Sequence, residues 1–293
     1  MPKRAKDSRQ ATPVSEETPF DLSYVHSLQL MLPEGAKSQL VMVGCGGTGS
    51  WLAPAVARVA RLMMERFGKK VEVTFIDHDD VEEKNIYRQN FCAAEIGMNK
   101  ADALALRYGT AWGVEITAIS KKLTEDDGSE IHGATVIGCV DNAAARKAIH
   151  HIRYAAWLDC GNSKNSGQVL LGVERDSWNK GFDEKGALGL PGYCGWLPSP
   201  AVQHPELVKA SPPAPLQKLE RGVDDLSCAE IALLDAQGLS INQRMAAEAA
   251  DYLVRMLITK DLRKYATYID LESGTTRSKY ITEEAVRGMA GRK

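Results

Sequence analysis

From residue 38 onward the apolar positions alternate between two periods. Gln39–Val43 is an unbroken apolar run that ends in a glycine-rich turn, the pattern of a strand buried on both faces. Ser50–Phe67 follows with Leu52, Val56, Val59, Leu62 and Met63 at helical spacing. Val71–Ile76 reads as a second strand and Lys100–Tyr108 as a helix. Val114–Ile119 and Ala134–Val140 read as further strands, Asn142–Tyr154 as a helix. Ala155–Asp159 is a short buried strand, and Gln168–Val173 continues as a strand after a polar loop. This alternation predicts α/β architecture: a doubly wound, Rossmann-like, mostly parallel sheet with helices on both faces.

The periodicity fails over residues 176–223, which are glycine-rich and hold seven of the 12 prolines. Such a stretch predicts a long crossover loop with a functional role. Asp225–Ala236 and Ser240–Thr259 then read as helices. In the second, Met245, Ala249, Tyr252, Leu253, Met256 and Leu257 form one apolar stripe, expected to pack into the core. Residues 264–281 predict a hairpin whose turn is Glu272-Ser273-Gly274. Residues 1–20 are polar, basic first and acidic after, and are expected to be a mobile leader; residues 21–293 are expected to be a single domain.

Composition narrows the function classes. Lys and Arg number 36 against 38 Asp and Glu, a formal charge of −2, which argues against a nucleic-acid partner. No run approaches the ~18 apolar residues of a membrane span, and the first residues hold no apolar signal core, so a soluble cytoplasmic protein is expected. The six cysteines form no C-x-x-C pair, so no zinc clamp is expected, and their scatter fits reduced thiols.

Three polar motifs are expected at the carboxyl ends of strands, the edge where open α/β sheets bind ligands. The first strand ends in Gly44-Cys45-Gly46-Gly47-Thr48-Gly49, a turn that brings backbone N–H groups and a helix N-terminus close to phosphate. The second ends in Asp77-His78-Asp79-Asp80, where a carboxylate accepts ribose hydroxyls in dinucleotide-binding folds. Asn85, Arg88, Gln89 and Lys100 follow, and two cations close behind a ribose carboxylate fit a triphosphate better than a nicotinamide. The fourth strand ends in Val140-Asp141-Asn142; either polar residue serves as a helix cap, or Asp141 holds Mg²⁺ beside phosphates.

The ordered series GCGGTG, DHDDVEEKNIYRQNF, GMNK and VDN resembles the ThiF/MoeB and ubiquitin-activating-enzyme superfamily. The resemblance covers about residues 38–175 and extends loosely through Cys228 and the helix at 240–259. Its nearest form is the ThiF-like protein of bacterial PRTRC systems. The resemblance implies adenylation, with ATP and Mg²⁺, of the C-terminal carboxylate of a ubiquitin-like or sulfur-carrier-like protein ending in Gly-Gly. It implies that Gly44, Gly46, Gly47 and Gly49 cradle the nucleotide and that Asp77 binds ribose. It further implies that Asn85, Arg88 and Lys100 contact phosphates and that Asp141 binds Mg²⁺. It also implies a homodimer, with Arg4 or Arg9 within reach of the partner's phosphates, and an E2-like acceptor. The zinc-binding cysteine pairs of many relatives are missing.

A thiol step after adenylation needs a cysteine near the acyl phosphate. Cys228 opens a predicted helix, which favours thiolate, and stands where ThiF-like relatives carry their reactive cysteine. Asp224 and Asp225 oppose ionisation there. Cys194 is the lesser candidate, and Cys139 and Cys160, in strands, are expected to be buried and inert. The competing functions are an NAD-dependent oxidoreductase, a tRNA-modifying dehydratase of the same superfamily, and an inactive scaffold for a ubiquitin-like protein.

Overall fold

The computed structural model describes residues 22–32, 38–129, 131–173, 184–209 and 228–290. Along the chain the strands are β1 (Gln29–Leu30), β2 (Gln39–Val43), β3 (Glu72–Ile76), β4 (Ile116–Ile119) and β5 (Thr135–Gly138). They continue as β6 (Ala156–Asn162), β7 (Ser166–Val173), β8 (Tyr193–Cys194), β9 (Lys264–Asp270) and β10 (Thr275–Tyr280). The α-helices are α1 (Gly47–Phe67), α2 (Lys100–Trp112), α3 (Ala143–His151), α4 (Glu184–Leu188), α5 (Pro200–Gln203), α6 (Cys228–Leu253) and α7 (Glu283–Ala290).

Among the described residues the main sheet has eight strands in the order β10-β9-β7-β6-β5-β2-β3-β4. Pairing is parallel from β4 through β6 and antiparallel from β6 through β7, β9 and β10. Every residue of β2 is buried because period-2 alternation sends its side chains into two separate cores. Leu40 and Met42 join the layer that includes α1, α2 and α6, whereas Val41 and Val43 join the layer that includes α3 and Trp157. The strand order reverses at β2, with β3 on one side and β5 on the other. Connections therefore leave β2 and β5 in opposite directions, which opens a crevice at their carboxyl ends. The doubly wound, mostly parallel α/β sheet expected from the sequence is the fold.

Several boundaries differ from the sequence reading. Helix α1 starts inside the glycine turn at Gly47, and α2 runs past Tyr108 to Trp112, where Gly113 takes a left-handed φ of 59°. Two helices were expected between 225 and 259, but one helix, α6, passes through Gly238 and widens into a π-helical turn at Val254–Thr259. A helix-interior glycine costs about 1 kcal/mol, too little to break a helix that packs along α1 and the sheet. Its stripe is core as expected, with Met245, Ala249, Tyr252 and Leu253 fully buried. Within the expected loop, residues 184–209 hold α4, β8 and α5, and β8 pairs with β1. These short elements lack a readable period because each is only two to five residues long. The leader at 1–20 lies outside the described residues. Among the described residues no helix is long and apolar enough to cross a membrane.

Candidate nucleotide site

The carboxyl ends of β2, β3 and β5 open into a cavity of about 790 Å³. Gly44, Gly46, Gly47, Asp77, Asn85, Arg88, Lys100 and Asp141 all line it, although they span nearly a hundred positions of sequence. Six cationic side chains (Lys84, Arg88, Lys100, Lys121, Lys122 and Lys164) face four acidic ones (Asp77, Asp79, Glu82 and Asp141). That excess gives a positive potential suited to a polyanion.

The turn after β2 is held by close backbone packing. Gly44 has φ 91°, and a Cβ there would lie 2.5 Å from the Cys139 carbonyl oxygen. Gly49 does not line the cavity. A Cβ on it would meet the Gly44 carbonyl oxygen at 1.9 Å, so its role is to let α1 press against the turn. Asp77 caps the arrangement from β3: the Cys45 N–H donates to Oδ2 at 2.6 Å and the Asp79 N–H to Oδ1 at 2.9 Å. Each carboxylate oxygen keeps a further lone pair for a hydroxyl donor.

Lys100 owes its place to the start of α2. Asn99 caps this helix by accepting from the Ala101 and Asp102 N–H groups, and its Nδ2 donates to the carbonyls of Asp77 and Asp79. The tip of β3 and the start of α2 are thus one unit. Lys100 is buried and its Nζ lies 3.0 Å from Asp79 Oδ2. Burial pushes the Asp79 carboxyl up, but the hydrogen bond and charge of Lys100 outweigh this and hold it below its ordinary value.

Asn85 and Arg88 lie on the arm between β3 and α2. The Asn85 Oδ1 accepts the Glu82 N–H at 2.9 Å, which folds the arm back on itself. The Arg88 carbonyl accepts Trp51 Nε1–H at 3.2 Å from α1. Gln89 is buried and lines the cavity, and its Oε1 has no hydrogen-bond partner among the described residues. A buried orphan acceptor carries a desolvation cost of about 1–3 kcal/mol, which a ligand donor would relieve. Asp141 is exposed to the cavity, and the neighbouring Asn142 is the cap of α3, accepting the Ala145 N–H at 2.8 Å. Of the two residues the sequence offered as a cap, Asn142 is the one that caps α3.

Sequence reasoning missed the wall that packs against the glycine turn. Asn242 on α6 is buried, and its Oδ1 accepts from Asn162 Nδ2 at 3.0 Å and from Thr48 Oγ1 at 3.5 Å. Asn242 interrupts the apolar stripe of α6, a signal visible in the sequence without its partner. Of the cysteines, Cys139 and Cys160 line the cavity. Cys194 does not; it is buried on β8 beside the Trp196 carbonyl, and burial pushes its thiol up to about 11. Cys228 begins α6, but its side chain lies outside the described residues, as do Arg4, Arg9, Asp224 and Asp225.

A doubly wound sheet with a glycine turn, a strand-tip carboxylate and a cationic cavity at its switch point defines the class of Rossmann-like nucleotide-binding proteins. Within that class, the model of the ThiF family matches residues 32–176. The chain is similar in fold to the crystal structure of E. coli MccB with ATP, at 15% identity and TM-score 0.50, covering 84% of this chain and 64% of that one. It is likewise similar to E. coli MccB with MccA, at 15% identity and TM-score 0.50, covering 87% and 67%. PaaA aligns at 18% identity with TM-score 0.49, covering 84% and 64%. The chain thus spans about two thirds of the length of these proteins. No curated protein matches it.

Proposed function

We propose that this chain adenylates the C-terminal carboxylate of a ubiquitin-like or sulfur-carrier-like protein, with ATP as the nucleotide. The observation that carries this reading is the convergence of Gly46, Asp77, Asn85, Arg88, Lys100 and Asp141 on one cationic cavity at the switch point of the sheet. The occurrence of E. coli MccB with ATP and with MccA supports it. A nicotinamide cofactor would not call for this excess of cations.

In the proposed reaction a carboxylate oxygen attacks the α-phosphorus, an acyl–O–P bond forms, and the bond to pyrophosphate breaks. The carboxylate is already ionised at neutral pH, so no general base is required. The difficulty is electrostatic, because two anions must meet and a third must leave. Arg88 and Lys100 offset that charge, and Asp77 orients the ribose. Lys100 enters this role aimed by Asp79, whose Oδ2 lies 3.0 Å from its Nζ. Asp141 offers the carboxylate that would hold Mg²⁺, which when bound neutralises phosphate charge. A thiol step on Cys228, a homodimer, an E2-like acceptor, a cytoplasmic location and the closer likeness to PRTRC ThiF-like proteins belong to the same proposal.

The test is ATP–pyrophosphate exchange with purified Gly-Gly-ending proteins encoded near this chain's gene. Exchange that depends on one such protein, and on its free C-terminal carboxylate, is expected. ATP binding without exchange for any of them would favour a nucleotide-binding scaffold instead.

A further inference from the structure

We propose that Cys139 and Cys160 form a dithiol on the floor of the nucleotide cavity, which peroxide closes to a disulfide that lowers nucleotide affinity. Strands β5 and β6 pair in parallel with Gly138 opposite Asp159, so one residue further on Cys139 stands beside Cys160. Neighbouring strands lie about 4.8 Å apart, within the roughly 4.4–6.8 Å that disulfide Cα atoms span. Residues in register send their side chains to the same face, and both cysteines line the cavity.

Their surroundings divide the two roles. Cys139 is partly exposed to the cavity, where a small oxidant enters, while Cys160 is buried behind it. The hydrogen bond to Cys139, followed by burial, holds the Cys160 thiol well above its ordinary pKa, consistent with a pair already in contact. Cys45 is not in register with Cys139: β2 pairs with β5 through Val43 and Gly138, which sets Gly44 opposite Cys139. Cys45 is also fully buried. Cys92 is exposed but lies outside the cavity.

The chemistry balances as a two-step oxidation. The Cys139 thiolate attacks one peroxide oxygen, giving a sulfenic acid and hydroxide, which takes up the proton that the thiol lost. The Cys160 sulfur then displaces the sulfenic oxygen, an S–S bond forms, and water leaves. In sum, two thiols and one hydrogen peroxide give one disulfide and two waters.

The cavity wall transmits the change. The Cys139 carbonyl packs against the Gly44 turn, where not even a Cβ fits, and Asp141 is two residues further along. Drawing the sulfurs to a bond of about 2.05 Å shifts this wall. Bound nucleotide covers the same floor, so occupancy and oxidation oppose each other reciprocally. This consequence for nucleotide rests on the function proposed above, whereas disulfide formation does not.

The reduced full chain would be treated with hydrogen peroxide, with and without ATP, then alkylated, digested and mapped by mass spectrometry. The expected result is a dithiothreitol-reversible 139–160 crosslink whose formation ATP slows. ATP affinity should fall about tenfold on oxidation. Cys160→Ser should bind ATP equally before and after peroxide. Recovery of both cysteines as separately alkylated thiols would overturn the proposal, as would a peroxide effect that persists in Cys160→Ser. A crosslink with unchanged ATP affinity would refute the link to nucleotide. Failure of the reduced chain to bind ATP would refute the proposed function and that link together, leaving the crosslink to be judged on the mass map.

Discussion

Arg146 Nε donates to both carboxylate oxygens of Asp159, at 3.1 and 3.3 Å, and Asp159 is completely buried. The pair joins α3 to β6. Burial pushes the Asp159 carboxyl up to about 6, and the charge and hydrogen bond of Arg146 only partly counter it. Removing the cation leaves a buried charge without compensation. Arg146→Ala should therefore destabilise the fold by about 3–5 kcal/mol at neutral pH, measured by denaturant unfolding.

The same pair gives a pH signature. The folded carboxyl titrates near 6 and the unfolded one near 3.9, so between these values the folded state holds more protons. The contribution of Asp159 to stability is therefore full below the unfolded value and is lost as pH rises through 6, by roughly 3 kcal/mol. Unfolding free energies of the parent and Asp159→Asn should diverge over this window, with the variant the flatter of the two. Parallel curves would contradict the raised value.

Gly49→Ala should damage stability and nucleotide binding together. The added Cβ would meet a backbone oxygen of the Gly44 turn, which no rotamer change relieves. A loss of about 3 kcal/mol is expected, at the upper end for overpacking. Thermal unfolding with and without ATP would check this.

Lys100→Met should leave the fold nearly intact and remove a phosphate partner. By analogy with other preorganised charge-stabilising groups, pyrophosphate exchange should fall about 10²–10³-fold. The freed Asp79 carboxyl should titrate higher than in the parent, because Lys100 is what holds it down. NMR titration of Asp79 separates this effect from simple misfolding.

Asp141→Ala should abolish Mg²⁺-dependent exchange without lowering the melting temperature, since its side chain is exposed to the cavity while Asn142 caps α3. Cys228→Ala should retain exchange but lose any reductant-sensitive conjugate with the carrier protein. Conjugate formation by Cys228→Ala would move the thiol step elsewhere.

The strand-tip motifs were legible in the sequence because they are local. Each consists of a few residues at the end of an apolar run, and the parallel α/β pattern alone brings such ends to one edge of a sheet. The stripe of α6 and the hairpin around Gly274 were legible for the same reason, as regular periods long enough to read. The short elements within 184–209 carried too few residues to show a period, and the passage of α6 through Gly238 was decided by packing against α1.

What the sequence determined by itself was the fold class, the glycine turn and the residue types at the carboxyl ends of the parallel strands. Only the tertiary structure decided which of them meet. Asn242 reaches Thr48 across 194 positions, and Thr48 reaches Asn162 across 114. Lys100 meets Asp79 because Asn99 ties the start of α2 to the tip of β3, and Cys139 meets Cys160 because β5 and β6 pair in one register. Such pairings depend on strand order, register and helix docking, which arise from burial summed over the whole core, so no local pattern encodes them.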